Sequence, residues 1–273
     1  MLPALINSRP NLYAPKSTFQ QIAEIYNDAT STGKYPTAID HGLLHPIFKT
    51  GKKKGPPENL RPIILLSILR KILTIALLER IWDRLAKNIP KSQAAYQRGR
   101  GTTEQVLALK ILIDKAITST DYNLYILLLD MSKAFDTVNR KQLMSDLQKT
   151  LDPDELHLLS ILTNRPHLSV TVDGDSGDFF PTYVGICQCD CLSAVLFIFY
   201  LSGALKESGE QVHRDLKAFL DVLYADDITY ATTSFEHRAE IRKEVPKLLE
   251  KYNLFTNQSK TEEGEVLLKC LIN

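Results

Sequence analysis

The chain has 273 residues, 44% hydrophobic and 24% charged, which is ordinary globular composition and enough for one large domain or two small ones. Its start, "MLPALINSRPNLYAPKS", has no basic segment followed by an apolar one, and its longest apolar run, "CLSAVLFIFYL", is too short to span a bilayer, so an intracellular, soluble protein is expected. The net charge of +1 conceals an asymmetry: from Lys49 to Lys110 there are 14 Lys and Arg against 4 acids, a surplus of +10 that leaves −9 for the remainder.

A basic segment joined to an acidic one points to a polyanion held by the first and metal ions held by the second. Uneven surface charge is the plain alternative. Three of the four cysteines, Cys187, Cys189 and Cys191, crowd into five residues, too close on an extended chain for a disulfide framework. Reduced thiols in a soluble, intracellular protein, nuclear or cytoplasmic, are expected.

In chain order, Phe19, Ile22, Ala23, Tyr26 and Ala29 have helical spacing, with Ser17 as a candidate cap. "HGLLHPIFKTGKKKGPPENLRPI" reads as a strand, a Lys/Gly/Pro loop and a second strand entered at Arg61 and Pro62. An amphipathic helix is expected from Leu66 to Leu85, with Leu69, Ile72, Leu73, Ala76 and Leu77 inward, and another over 103–118. "YNLYILLLD" is a buried strand ending at Asp130, followed by helices near 139–149 and 153–164. "LSVTVDGDSGDFFPTYV" is a hairpin turning at Asp173–Gly177, "CLSAVLFIFYLSGAL" a buried helix, "DVLYADDITYAT" a second hairpin, and 235–252 an amphipathic helix. No repeat, low-complexity tract or long linker interrupts them. The fold class is α+β, an antiparallel sheet covered by helices.

"VLYADDITYA" places Asp226 and Asp227 inside an apolar run. One reading is a hairpin whose tight turn is Asp-Asp itself. The other adds Asp130 at the end of a second buried strand, for which helix capping is the plain alternative. Carboxylates brought together in one sheet raise each other's pKa or demand a cation. A few carboxylates completed by substrate phosphates are the Mg²⁺ pattern.

"LLLDMSKAFDTV", "GICQCDCLSAVLF", "LYADDITYA" and "FTNQSKTE", in that order, resemble the palm motifs of reverse transcriptases. "LRPIILLSILRKILTIALLERI" with "IPKSQAAYQRGRGTTEQV" resembles the fingers of the non-LTR retrotransposon branch. The resemblance runs from about residue 15 to about 265, and four ordered motifs are far more specific than a lone YADD. It implies a right-hand polymerase: fingers over 1–120, palm over 121–136 and 181–273, and connecting helices and hairpin over 137–180. It also implies RNA-directed DNA polymerase activity with RNA template, DNA primer, dNTPs and two Mg²⁺ ions, at no membrane and in an oligomeric state left open. Asp130, Asp226 and Asp227 match the metal site and Phe135 the steric gate against a 2′-OH, a ring whose plain alternative is core packing. Lys49 and Arg61 match the triphosphate clamp, Gln188 the contact beside the incoming nucleotide, and Lys260 the basic residue near pyrophosphate. A solvated basic loop is the alternative for Lys49 and Arg61.

The family's second palm motif reads about G-x-P-Q-G-D-x-L-S-P. Gly185, Gln188, Asp190, Leu192 and Ser193 fit it, whereas Cys187, Cys189 and Ala194 replace Pro, Gly and Pro. A Cβ at Cys189 forfeits the close approach or positive φ that Gly allows, so impaired activity is expected. The three thiols have no C-x-x-C spacing and no fourth ligand, which speaks against zinc, and "DGDSGD" lacks the Glu that would complete a Ca²⁺ loop. The chain ends soon after Lys260, so a thumb is expected to be absent from it and the chain to be a fragment or decayed copy of an element. A catalytically degenerate RNA-binding remnant is therefore the alternative function. An RNA-dependent RNA polymerase is a third, against which Phe135 speaks.

Overall fold

The computed structural model describes residues 16–32, 41–51, 53, 55–56, 59–118, 123–163, 167–188, 190–212 and 219–267. Chain packing separates two compact units, one formed by residues up to Arg84 with Leu147–Ala194, the other by Leu85–Asp146 with Val195 onward.

The first unit begins with α1 (Lys16–Thr32), which buries Ala23 and Tyr26 on one face, as their spacing predicts. β1 (His41–Phe48) and β2 (Leu60–Leu66) form an antiparallel hairpin, and α2 (Ile68–Ala86) follows. Leu73, Leu77 and Ile81 recur one turn apart on α2 and are buried. α6 (Pro153–Thr163) starts on one arm of a capping box: Glu155 Oε2 accepts from Asp152 N at 3.2 Å, while the Asp152 carbonyl accepts from the Glu155 and Leu156 amides. Pro153 stands at the first helical position, where a missing N–H costs nothing.

β5 (His167–Val172), β6 (Asp175–Ser176) and β7 (Phe180–Pro181) complete the sheet of this unit. Within this sheet β1 runs parallel to β5, with Gly42 opposite Leu168, a pairing the sequence reading does not include. A Cβ on Gly42 would stand 3.0 Å from side-chain atoms of Ile64 and Leu168, so a larger residue fits only if those side chains give way by a few tenths of an ångström. The β5–β6 turn is tighter than the sequence reading: Val172 pairs Asp175, leaving Asp173 (φ 52°) and Gly174 (φ 93°) as a two-residue loop. Asp-Gly is the pair that tolerates two positive φ values.

In the second unit, α3 (Thr102–Thr118) precedes β3 (Leu124–Leu129), β4 (Met131–Ser132), the single-turn α4 (Ala134–Thr137) and α5 (Arg140–Leu147). α7 (Cys191–Val212) buries Leu196, Phe197, Ile198, Tyr200 and Leu201, side chains from all round its circumference. β8 (Phe219–Tyr224), β9 (Asp227–Thr232), α8 (Phe235–Lys251), β10 (Phe255–Thr256) and β11 (Glu262–Val266) follow. Four strands make an antiparallel sheet in the order β11-β3-β9-β8, with α3 and α8 packed on it. Leu124, Ile126 and Ala231 form its core with Ala116 of α3. Ser234 caps α8, its side chain accepting from His237 N.

β10 and β11 are absent from the sequence reading. The EEGEV run of β11 has no apolar alternation, and it is held instead by Arg238 of α8. That guanidinium is buried, bonds Glu265 at 2.7 Å and Glu263 at 3.2 Å, and lies over the rings of Tyr125 and Phe235. No helix among the described residues is long and apolar enough to cross a membrane.

Candidate active site

β3 and β9 pair antiparallel with Leu129 opposite Ile228. Asp130 is the next residue on one strand and Asp227 the preceding residue on the other, so register alone brings the two carboxylates to the same end of the sheet. The apolar runs LYILLL and ITYA fix that register, because a one-residue slip would turn their buried faces to water. Asp130 does not cap a helix: the residue flanking α4 is Lys133, which has left-handed φ of 50°.

The β8–β9 hairpin corrects the tight-turn reading in one respect. Tyr224 pairs Asp227, so the two turn residues are Ala225 and Asp226, and Asp227 already belongs to β9. Ala225 has φ of 55°. A primed hairpin turn favours Gly at such a position, and a residue with Cβ there stores about 1–2 kcal/mol of strain.

Burial pushes the Asp226 carboxyl up, and the charges of Asp227 and Asp130 add to the rise against its own backbone N–H and the Lys260 ammonium. Asp227 is likewise raised, by burial first and by Asp130 second. Asp226 and Asp227 thus both sense the Asp130 carboxylate as a repelling charge, and Asp226 senses Asp227 as well.

Lys260 reaches the same place from the other end of the unit. Its ammonium lies 3.0 Å from Asp130 Oδ2. The segment before it is tied down in steps: Phe255 pairs Ser132, Thr256 pairs Met131, and Asn257 N donates to the Asp130 carbonyl at 2.7 Å. The Asn257 side chain then accepts from Ser259 N, while its carbonyl accepts from Lys260 N and Thr261 N. Sequence reasoning missed Asn257, although Asn opening a short polar turn is a recognised signal. Among the described residues no group of three His, Cys, Asp or Glu side chains is gathered closely enough to hold a metal ion.

A cavity of about 560 Å³ is lined by Asp130, Asp227 and Lys260, with Tyr224, Thr102 and Gln105 also on its walls. Phe135, partly buried in α4, stacks on the Phe197 ring with centroids 4.6 Å apart. The second unit therefore brings together Asp130, Asp226, Asp227 and Lys260 and contains Phe135.

Lys49, Arg61 and Gln188 belong to the first unit. Lys49 N donates to Asn59 O at 2.8 Å and Arg61 pairs Ile47, which sets both basic residues at the loop end of the β1–β2 hairpin and, by alternation, on one face. Gln188 is partly buried between Gly185, which has φ of 78°, and Asp190. Asp190 is buried and accepts from Leu192 N at 3.2 Å at the start of α7. Burial raises its carboxyl, opposed by the charge of Arg70. Among the described residues Cys187 and Cys191 form no disulfide, and Cys187 lies in an apolar cluster with Ile64, Leu66 and Leu168. Cys189, Cys270, Lys52 and Lys54 lie outside the described residues.

A family model described as reverse transcriptase (RNA-dependent DNA polymerase) matches residues 51–267. A probable RNA-directed DNA polymerase from transposon BS of Drosophila melanogaster is 26% identical over 222 residues, 81% of this chain and 24% of that protein. The apo telomerase of Candida tropicalis superposes with a TM-score of 0.64 at 14% identity, over 91% of this chain and 49% of the other. Telomerase of Candida albicans in complex with a TWJ fragment of telomeric RNA gives 0.58 at 14% identity, over 92% and 46%. At such identity the telomerases speak for the fold alone. The chain spans about a quarter of the length of the transposon polymerase and about half that of the telomerase chains. With the family model covering most of its length, and with the aspartates of its motifs meeting on paired strands, the chain belongs to the reverse transcriptase family of RNA-dependent DNA polymerases.

Proposed function

We propose that this chain extends a DNA primer on an RNA template, the primer 3′-OH attacking the α-phosphate of a dNTP and pyrophosphate leaving. The observation that carries the reading is Asp130 and Asp227 side by side at the end of β3 and β9, with Asp226 in the adjoining turn. Three hard oxygen donors that repel one another suit a divalent cation, and the donor set fits Mg²⁺. Asp130, Asp226 and Asp227 would hold the two ions, whose chemistry when bound is to acidify the 3′-OH and neutralise the triphosphate.

The other residues act by charge and shape. Lys260, freed from Asp130 once that carboxylate has another partner, supplies a positive charge or a proton to the departing pyrophosphate. Phe135, with its ring oriented by Phe197, closes the space a 2′-OH would need. Lys49 and Arg61 hold the triphosphate, Lys as a point charge and Arg as a bidentate fork, and Gln188 lies along the incoming nucleotide. Functionally, fingers over 1–120, palm over 121–136 and 181–273 and a connection over 137–180 remain the partition we propose, distinct from the packing units. Activity lowered by Cys189 in place of Gly belongs to the same reading, and Cys189→Gly is expected to raise the rate of nucleotide addition.

One observation favours a second reading, an RNA-binding remnant: the Lys260 ammonium occupies Asp130. Addition of one nucleotide to a primer on RNA, with dNTP against NTP, in Mg²⁺ and in parallel with RNA binding, separates the two. Polymerase function requires dNTP addition that Asp226→Asn removes while RNA binding persists. RNA binding without addition leaves the remnant.

A further inference from the structure

Gln93 is a side chain to which neither the resemblance nor the reaction gives a role. It is 0% exposed, an unusual position for an amide, and both ends of that amide are used. Gln93 Oε1 accepts from Ala225 N at 3.0 Å, and Gln93 Nε2 donates to Ala225 O at 3.2 Å. These two bonds grip the one residue of the β8–β9 turn whose backbone is left-handed, and that residue immediately precedes Asp226 and Asp227.

The support of Gln93 is itself built in. Ala94 N donates to Leu223 O at 3.1 Å and Leu223 N to Ser92 O at 3.0 Å, so residues 92–94 lie parallel along the edge of β8. Ser92 Oγ donates to Asp221 Oδ2 at 2.8 Å. From the other side, Gln105 Nε2 donates to Ser92 O and Arg100 Nη1 to Gln93 O, both at 2.8 Å. The SQAAYQRGRGTTEQ stretch is thus a brace that fixes the Gln93 backbone and aims its amide at the turn.

We infer that Gln93 is a positioning residue for the Asp226–Asp227 turn: its amide locks Ala225 in the left-handed conformation and so sets where the two carboxylates stand. The inference rests on the proposed polymerase reading for its consequence in turnover, and on the turn geometry alone for its structural part. An alanine at this position leaves the turn free to relax to a negative φ, and the paired amide bonds oppose that relaxation. A glycine would adopt the same φ without strain.

The test combines amide exchange with kinetics in the whole chain. In the unaltered protein the Ala225 amide, though in a two-residue turn, exchanges slowly; exchange at the free rate overturns the inference without any variant. Gln93→Met keeps the length and apolar volume but makes neither bond. It is expected to lower Ala225 protection roughly tenfold, the loss of one net hydrogen bond, while amides in the middle of β3 keep theirs. Single-nucleotide addition should lose kcat with the KM for dNTP unchanged, and adding Ala225→Gly to Gln93→Met should restore part of that kcat. Unchanged Ala225 protection, equal loss across the whole sheet, or a Gly that rescues nothing overturns the role given to Gln93. An unaltered chain that adds no nucleotide refutes the polymerase reading instead, and the exchange data still decide whether Gln93 holds the turn.

Discussion

Glu155→Ala removes the acid around which the first unit is tied. The Glu155 carboxylate is fully buried, bonds Arg80 Nε at 2.5 Å, bonds Arg84 Nη2, and accepts from Asp152 N. Breaking a fully buried ion pair costs about 3–5 kcal/mol, because the remaining charge is left without compensation. Here the two guanidiniums are each 31% exposed and can turn toward water, which lowers that figure. The lost capping bond adds about 1 kcal/mol. The expected net loss is about 2–4 kcal/mol, and about half of that for Glu155→Gln, which retains a carbonyl acceptor. Urea unfolding followed by tryptophan fluorescence measures it, because the single tryptophan, Trp82, is buried on α2 and reports the first unit. The midpoint should fall with an unchanged slope, and the loss should persist at high salt because a buried carboxylate is little screened. A loss below about 0.5 kcal/mol would reduce the network to the standing of a surface pair and refute the argument.

Other outcomes follow from the same geometry. Gly42→Ala places a methyl 3.0 Å from Ile64 and Leu168 and should cost about 1–3 kcal/mol in the same fluorescence assay; a neutral effect would mean that those two side chains move aside freely. Asn257→Ala should leave the melting temperature within a few degrees yet lower nucleotide addition, since it unties the turn that carries Lys260; unchanged kinetics would free Lys260 of its role. Phe135→Val should raise ribonucleotide relative to deoxyribonucleotide incorporation in single-nucleotide kinetics, whereas a constant ratio would make the ring packing alone.

What could be read in advance was whatever rests on local chemistry. Asp-Pro-Asp-Glu at 152–155 spells a helix start, Asp173-Gly174 a hairpin, and the apolar runs around Asp130 and Asp227 two buried strands. Features that depend on distant partners were not legible. The Glu-rich β11 is a strand because Arg238, from α8, lies against it, and no hydrophobic period announces that. Ala225 gives no hint of positive φ, since alanine carries no turn signal, and the reason it tolerates one is an amide 132 positions earlier in the chain. The Lys260–Asp130 pair spans 130 positions, and only the resemblance to reverse transcriptases singled out Lys260.

The central claim is that Asp226, with Asp130 and Asp227, makes this chain a polymerase. Single-nucleotide addition to a DNA primer annealed to RNA, in Mg²⁺ and dNTP, compares the unaltered chain with Asp226→Asn. The account predicts addition by the first, addition reduced to background in the second, and equal RNA affinity and melting behaviour for both. Addition that survives Asp226→Asn, or RNA binding that collapses with it, would contradict the account.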